Sequence, residues 1–397
     1  MNAALEVLRD LRSHPLRTAL SGLSVFMTVI SVIAIISASA IARDVFVAQE
    51  EQIDGRAITM NAVLPQTVTS PASVSSLLDN LSTRISGHGG AFAVLAPLTA
   101  TTGPLRPDGP ASQEASSVTA VAGALLSIKR LPVLTGRWLR PYTQRYPPEV
   151  VLNSAARKRS GGVGALIELQ VGPRDRSYPS RIVGVIADGS PTPEYYTSLA
   201  SVLAVNPGAL DANSAISVLA HRGRTTADTL RAMMGRALTD AGVEPTDLSI
   251  GRNDHVDELA GRLRGLQRGF LVSAAVSLVV ALLGLLNIGL ATVRERSREL
   301  VVRRAIGATR SRLFLLVLSV AVITALVACA VAIGLGIVAV YVVLPIFLAK
   351  DSAIISPGFP WIAALSGLVT ALFTAAAGAA YPATVAARMD VAAALRD

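Results

Sequence analysis

The densest cluster of side chains able to hold a partner is Val293 to Leu313, VRERSRELVVRRAIGATRSRL, which carries seven arginines and two glutamates between two uncharged apolar runs. Glu295 lies three residues before Arg298, and Glu299 four before Arg303, spacings that bring opposite charges together on one helix face. Leu300, Val301, Val302, Ala305 and Ile306 supply an apolar side, and Gly307 stands where helices commonly turn off in the left-handed conformation. The chemistry is recognition: apolar residues anchor in a groove while arginines set the register. The same residues would suit a short helix lying on anionic lipid, and the residues alone leave both readings open.

Other chemistries have less to stand on. The three lysines, Lys129, Lys158 and Lys350, none of them after a glycine, cannot form the Gly-Lys of a phosphate-cradling loop. His14, His88, His221 and His255 are scattered without metal-ligand spacing. Cys329 is the only cysteine, so no disulfide can form within the chain. GxSxG and HExxH patterns are absent, which removes the sequence basis for a hydrolase or a metalloenzyme. No catalytic residue, metal site or cofactor is expected in this chain.

The elements that must position the arginine-rich stretch are apolar runs. A bilayer takes about 20 residues of helix to cross, and Leu20–Ile41, Gly269–Val293, Phe314–Leu344 and Trp361–Ala380 reach that length without Asp, Glu or Lys, and with no Arg inside them. The third run is longer than an upright helix needs, which predicts tilt or an end near Pro345. The basic start, Arg9, Arg12 and Arg17, followed by Ala38, Ser39 and Ala40, has the outline of a cleavable signal, but the run exceeds the usual 7 to 15 residues or so of such segments. A retained helix is expected.

Positive charge in short loops marks the cytoplasmic side. Residues 1–19, 294–312 and 381–397 together carry 12 Arg against 6 acidic residues, whereas the far longer segment 43–268 carries 23 basic and 20 acidic residues. Both termini and the arginine-rich loop are therefore expected in the cytoplasm, with Arg12, Arg17, Arg388 and Arg396 as membrane flanks. The sequence pI of about 10.3 then reports orientation in a lipid bilayer, and no nucleic-acid partner is expected. Spans without carboxylates or lysines also disfavour an ion or proton relay.

The expected fold is an α-helical membrane protein with four transmembrane helices plus a large α+β extracytoplasmic domain between helices 1 and 2. In order, it comprises an amphipathic N-terminal segment 1–19, helix 20–42, the domain 43–268, helix 269–293, the cytoplasmic loop 294–312, helix 313–346, a short outer loop 347–360, helix 361–380 and a tail 381–397. Within the domain, strands are expected at Ala57–Leu64, Ser117–Ala122, Glu149–Leu152, Leu166–Val171, Ser180–Ile186 and Ile216–Ala220. Helices are expected at Val74–Ile85 and Thr225–Ala241, the latter stopped by Gly242. Thr99–Ser117, rich in Thr, Pro, Gly and Ser, predicts a mobile excursion. His255–Gln267 contains no breaker and carries Val256, Leu259, Leu263 and Leu266 at helical spacing, so it is expected to continue into the second span, either as a lever or as a plain stalk.

With these residues in place, RERSRELVVRRAIGATRSRLF resembles the cytoplasmic loop of FtsX-like, MacB-type ABC transporter permeases. The matching positions are Arg294, Glu295, Arg296, Glu299, Arg303, Arg304, Ala305, Gly307 and Ala308. LRSHPLRTALSGLSVFMTVISV is similar to that family's entry into its first span. YPATVAARMDVAAALRD resembles its C-terminus through Pro382, Ala383, Ala386, Ala387, Arg388, Asp390, Ala394, Leu395 and Arg396. GRWL at 136–139 and EVVLNSAA at 149–156 are similar to shorter signatures of its outer domain. Val301 stands where the family usually has glycine, and Phe26–Thr28 replaces a Gly-containing pattern, which questions close helix approach there.

The resemblance implies a permease subunit of the bacterial plasma membrane, paired with a second identical or homologous permease and with a separate nucleotide-binding ABC ATPase that holds ATP and Mg. Arg294, Glu295, Arg296, Arg298, Glu299, Arg303, Arg304, Ala305, Gly307 and Ala308 would form the ATPase-coupling element. Residues 43–268 would bind an extracytoplasmic substrate or accessory protein. It implies export or extraction of a hydrophobic compound, peptide or lipoprotein. The alternative is a mechanotransmitter that transports nothing and regulates a cell-wall enzyme or sensor. A coiled-coil hook for such an enzyme would need sustained heptads, and none is present.

Overall fold

The computed structural model describes residues 15–65, 70–104, 114–140, 147–171, 177–210, 215–254, 256–295, 297, 301–302, 305–307, 309–347 and 358–388. Two compact units emerge, one built from the chain up to Asp44, Arg262–Ala349 and the stretch from Ser356, the other from Val45–Gly261.

Four helices among the described residues are long and apolar enough to cross a membrane. They are α1 (Pro15–Ile53), α7 (Val256–Glu295), α8 (Arg310–Val338) and α10 (Trp361–Arg388). Both α1 and α7 exceed their apolar runs: α1 continues from Ile41 to Ile53, and α7 begins at Val256, so the segment leading into the second span is helical as expected. A π-helical turn, Ala339–Val343, follows α8 and leads into the short α9 (Leu344–Phe347). Pro345 accounts for this widening, because its ring clashes with the carbonyl one turn back and it has no N–H to donate.

Small residues bring these helices together. Val25, Val29 and Ile33 of α1 are buried with Ala325, Ala332, Ala363 and Ala371. Gly289 leaves room for the ring of Pro382, the proline inside α10, and a methyl group added at Gly289 would stand 2.7 Å from it. Of the small residues on α7, Ala281 is buried and Gly284 faces Ser24, while Ala275 remains exposed. Phe26 is partly buried against the same cluster, so the first span packs without the glycine pattern.

The second unit carries a mixed sheet of ten strands in the order β10-β1-β9-β2-β3-β8-β5-β7-β4, with β6 bridging β2 and β7. Its strands are β1 (Thr59–Val63), β2 (Ala91–Pro104), β3 (Glu114–Gly123), β4 (Val133–Gly136), β5 (Glu149–Asn153), β6 (Leu166–Val171), β7 (Ser177–Ile186), β8 (Glu194–Ser198), β9 (Ser217–His221) and β10 (Ser249–Arg252). The β3–β8 and β5–β7 pairs are parallel and the others antiparallel. Side chains alternate across this sheet as the period of two requires. Val94, Ala96 and Leu98 pack in the core with α2 (Pro71–Arg84), α5 (Leu199–Val205) and α6 (Ala227–Asp240), and Ala93, Val121 and Val151 pack with α3 (Leu125–Ile128). Ser70 and Thr226 cap α2 and α6 by accepting from Ser73 N and Thr229 N, and Gly242 turns left-handed after α6 (φ 91°).

Each of the six expected strands is present, but Thr99–Ser117 is not an excursion over its whole length. Thr99–Pro104 ends β2 and Glu114–Ser117 begins β3, in register from Ala93↔Gly123 to Thr102↔Glu114. Pairing with β3 and β6 supplies the backbone hydrogen bonds that override the turn-like composition.

The short signatures at 136–139 and 149–156 meet in space. The Arg137 guanidinium binds Glu149 through two N–H groups at 2.9 and 2.5 Å, and Trp138 lies against Tyr196 with ring centroids 5.8 Å apart. Asn153 caps α4 (Ser154–Ser160) by accepting from Ala156 N at 2.8 Å.

Candidate functional site

The arginine-rich loop joins the end of α7 to the start of α8. Helix α7 runs to Glu295, and helical backbone is present at Ser297, Val301, Val302 and Ala305, where Ile306 N donates to Val302 O at 3.1 Å. Gly307 then adopts φ 102°, the left-handed turn-off, and Thr309 caps α8 by accepting from Arg312 N. A left-handed glycine and a capped restart thus shape the return of the chain into α8.

Val293, Leu313 and Ala386 are buried together beneath this loop, and Val301 is 6% exposed. Val301 therefore fills a packed position where glycine is usual in the resembling family. Val302 at 55% and Ile306 at 82% exposure are left as apolar side chains toward solvent, and Arg294, Glu295, Ala305, Arg310 and Arg312 are exposed as well. An isoleucine so exposed, in an arginine-rich stretch of sequence, suits a groove with an apolar floor and an acidic rim. Arg388, the last residue of α10, is also exposed. Arg17 lies in α1, whereas Arg12, Arg296, Arg298, Glu299, Arg303, Arg304, Ala308 and Arg396 lie outside the described residues.

In the helical unit, α1, α7 and α10 line a cleft of about 610 Å³. Val32, Ile36, Phe270 and Leu271 form its apolar wall, with Ser366 and Thr370 along α10 and Arg43, Asp44 and Gln267 lining it as well.

The sheet unit holds a polar cluster that no local motif announced. The Tyr196 hydroxyl lies 3.0 Å from Asp188 Oδ2 and 2.8 Å from Glu194 Oε2. Asp188 Oδ1 accepts from Ser190 N at 3.0 Å and Asn153 Nδ2 at 3.3 Å, and Asn153 also donates to Thr192 O. Burial, reinforced by the Glu194 charge, raises the Asp188 pKa above 3.8 against these hydrogen bonds. The Tyr196 phenol is raised by burial and by both carboxylates. Lys129, whose own pKa burial lowers, faces Asp54, Glu194 and Asp188 and donates to Ile53 O at 2.5 Å, where it caps the end of α1.

A raised folded-state pKa means that the folded chain binds the proton more tightly than the unfolded one. The stability it confers is complete below about 3.8 and is lost as pH rises through the raised value. Asp188→Asn reproduces the protonated acid, with its amide donating to Tyr196 and Tyr196 donating to Glu194. The variant is expected to keep its unfolding midpoint over the pH interval in which the wild type declines. Parallel decline in thermal melts of both proteins would remove Asp188 as the titrating group.

Among the described residues, no group of three or more His, Cys, Asp or Glu side chains gathers to hold a metal.

Comparison with known proteins fits both units. Residues 18–236 match the family described as MacB-like periplasmic core domain, and residues 271–391 that described as FtsX-like permease C-terminal. The chain is 32% identical over 120 residues to the macrolide export ATP-binding/permease protein MacB of Escherichia coli, and equally to MacB 2 of Escherichia coli O1:K1 / APEC. Each alignment covers 30% of this chain and 18% of the relative, so the match spans under a fifth of those proteins. The extracellular domain of the noncanonic ABC-type transporter YknZ from Gram-positive bacteria aligns at 11% identity and TM-score 0.34, covering 49% of this chain and all of that domain. The MacB-like match alone takes in more than half of the sequence, and with the C-terminal match it places this chain in the FtsX-like, MacB-type family of ABC transporter permeases.

Proposed function

We propose that this chain is the membrane subunit of an ABC complex in which a separate nucleotide-binding subunit hydrolyses ATP and drives changes in the sheet unit, exporting or extracting a hydrophobic compound, peptide or lipoprotein. The observation that carries this reading is the arginine-rich loop between α7 and α8, which leaves Val302 and Ile306 exposed ahead of the left-handed Gly307. ATP and magnesium belong to the partner chain. The cleft along α1, α7 and α10 has the mixture of apolar wall and polar residues that an amphiphile would use. The exposed apolar face of α7, including Val272, Val276, Val279 and Leu283, suits lipid or a second permease chain.

The test is isolation of the protein from native membranes in detergent, followed by mass spectrometry and an ATPase assay. Recovery of a nucleotide-binding subunit with activity is the expected result, and a preparation free of any such subunit would overturn the proposal.

The arginine asymmetry supports an orientation with the loop and both termini in the cytoplasm. A phosphatase that folds only outside the cytoplasm, fused at residue 200, is expected to be active. Activity of a cytoplasmic reporter at that position would reverse the topology.

A further inference from the structure

The chain enters the sheet unit from α1 through a strained turn. Gly55 has φ 104°, and Ile58 has φ 61°, the one non-glycine residue with positive φ among those described. A β-branched side chain in the left-handed region is a genuine outlier, disfavoured there by the contact of Cβ with the following carbonyl. Such a conformation persists only where its surroundings hold it.

What holds it comes from the other end of the unit. Asp254, two residues before α7, has a side chain with 0% exposure. Its Oδ1 accepts from Thr59 N at 2.9 Å, and its carboxylate also accepts from the Ile58 backbone. Arg252 pins the same carboxylate through Nε at 3.0 and 3.1 Å and Nη2 at 2.6 Å. Burial opposes the charge on Asp254, but the Arg252 and backbone hydrogen bonds outweigh it and keep its pKa below 3.8. Next to it, Asn253 N donates to Thr59 O at 2.9 Å and Asn253 Nδ2 to Asp54 O at 2.6 Å. His221 and Arg222 N contact the Ile58 backbone from β9. Arg252, Asn253 and Asp254 thus hold the segment from Asp54 to Thr59 that follows α1.

We infer that Asp254 and Ile58 form a mechanical latch, in which the carboxylate leading into α7 holds the backbone leaving α1 in a strained conformation and releases it when α7 is displaced. Hydrogen bonds are short-ranged, so a shift of about 1 Å at Asp254 takes both N–H contacts beyond bonding distance. Ile58 then relaxes to the extended region, and the link between Ile53 and β1 changes length in one step. Strain makes the release abrupt and gives the junction two states, the property a conformational relay needs. The inference rests on the permease reading for its driving force, while the latch itself is a property of the folded unit.

Amide hydrogen exchange tests it, with the full chain in lipid nanodiscs, alone and with the co-purified nucleotide-binding subunit. In the chain alone, Ile58→Gly removes the strain and is expected to slow exchange at Thr59 by a factor of roughly 5 to 30, after correction for intrinsic rates, and to leave Met60–Val63 unchanged. Asp254→Asn keeps the side-chain volume but loses the charge, and is expected to speed exchange at both Ile58 and Thr59. In the complex, vanadate-trapped nucleotide is expected to expose these two amides in the wild type and much less in Ile58→Gly. Equal protection of Thr59 in wild type and Ile58→Gly would overturn the latch whether or not an ATPase is present. Absence of a nucleotide-binding subunit would overturn the permease reading alone, since the comparison in the isolated chain still decides the latch.

Discussion

Replacing Glu299 and Arg303 with alanine is expected to lower stimulated ATPase activity and recovery of the nucleotide-binding subunit by about tenfold or more, while the chain inserts normally. Both positions belong to the loop whose described residues place Val302 and Ile306 in solvent, at 55% and 82% exposure, on a turn ended by Gly307. Glu299 and Arg303 are four residues apart in sequence, a spacing that lets opposite charges pair wherever the backbone is helical. A docking surface of this kind concentrates its energy in few residues, each worth about 2 kcal/mol or more when truncated, which is roughly a thirtyfold change in affinity. Insertion depends on the apolar spans and on the arginines outside this pair, so protein level in the membrane should stay near wild type. Ile306→Asp tests the apolar half of the same surface and should behave alike. Full ATPase stimulation by both variants in a reconstituted complex would separate the loop from coupling.

The loop was legible because its signals are local. Arginine count, helical spacing and a glycine stop all fall within Val293–Leu313. The four spans were legible for the same reason, since a bilayer selects for runs without charge. Their full helical lengths were not. Arg43, Asp44, Glu50 and Glu51 end the apolar run of α1, yet they are tolerated in a helix, so hydropathy stops at Ile41 while the helix goes on to Ile53. Strand β2 was hidden by Pro97 and by its TTGP ending, and only pairing with β3, β6 and β9 makes it a strand. The latch leaves no trace in spacing at all: Asp254 and Thr59 are 195 positions apart and meet only because β1 pairs β10 and β9. The same holds for Asn153 and Asp188, which no motif links and which the sheet brings within hydrogen-bonding distance. Local patterning therefore reveals where the chain is apolar enough to cross a membrane and where its arginines cluster. Long-range polar contacts within the sheet unit require the fold.

Gly367→Leu in α10 is expected to destabilise the helical unit by about 3 kcal/mol, lowering the unfolding midpoint in detergent by roughly 6 to 12 °C. A methyl group added at Gly367 would stand 2.7 Å from Ile33 Cγ1, 2.8 Å from Ile33 Cδ1 and 3.4 Å from Val29 Cγ1. Ile33 is 1% and Val29 0% exposed, so neither has space to retreat. Membrane helices gain little from excluding water and associate through close packing, which makes a lost close approach costly. Gly334 in α8 supplies the control, because nothing lies within 4 Å of a methyl group there, and Gly334→Leu should melt within a degree or two of wild type. Ile33→Ala in the Gly367→Leu background should restore much of the loss, since the cavity left by one side chain accepts the other. An additive cycle, with both single losses retained in the double variant, would mean that Gly367 and Ile33 are not in contact in the membrane. Recovery would identify the α1–α10 contact as a packed joint, the rigid element that any movement started at the loop must work against.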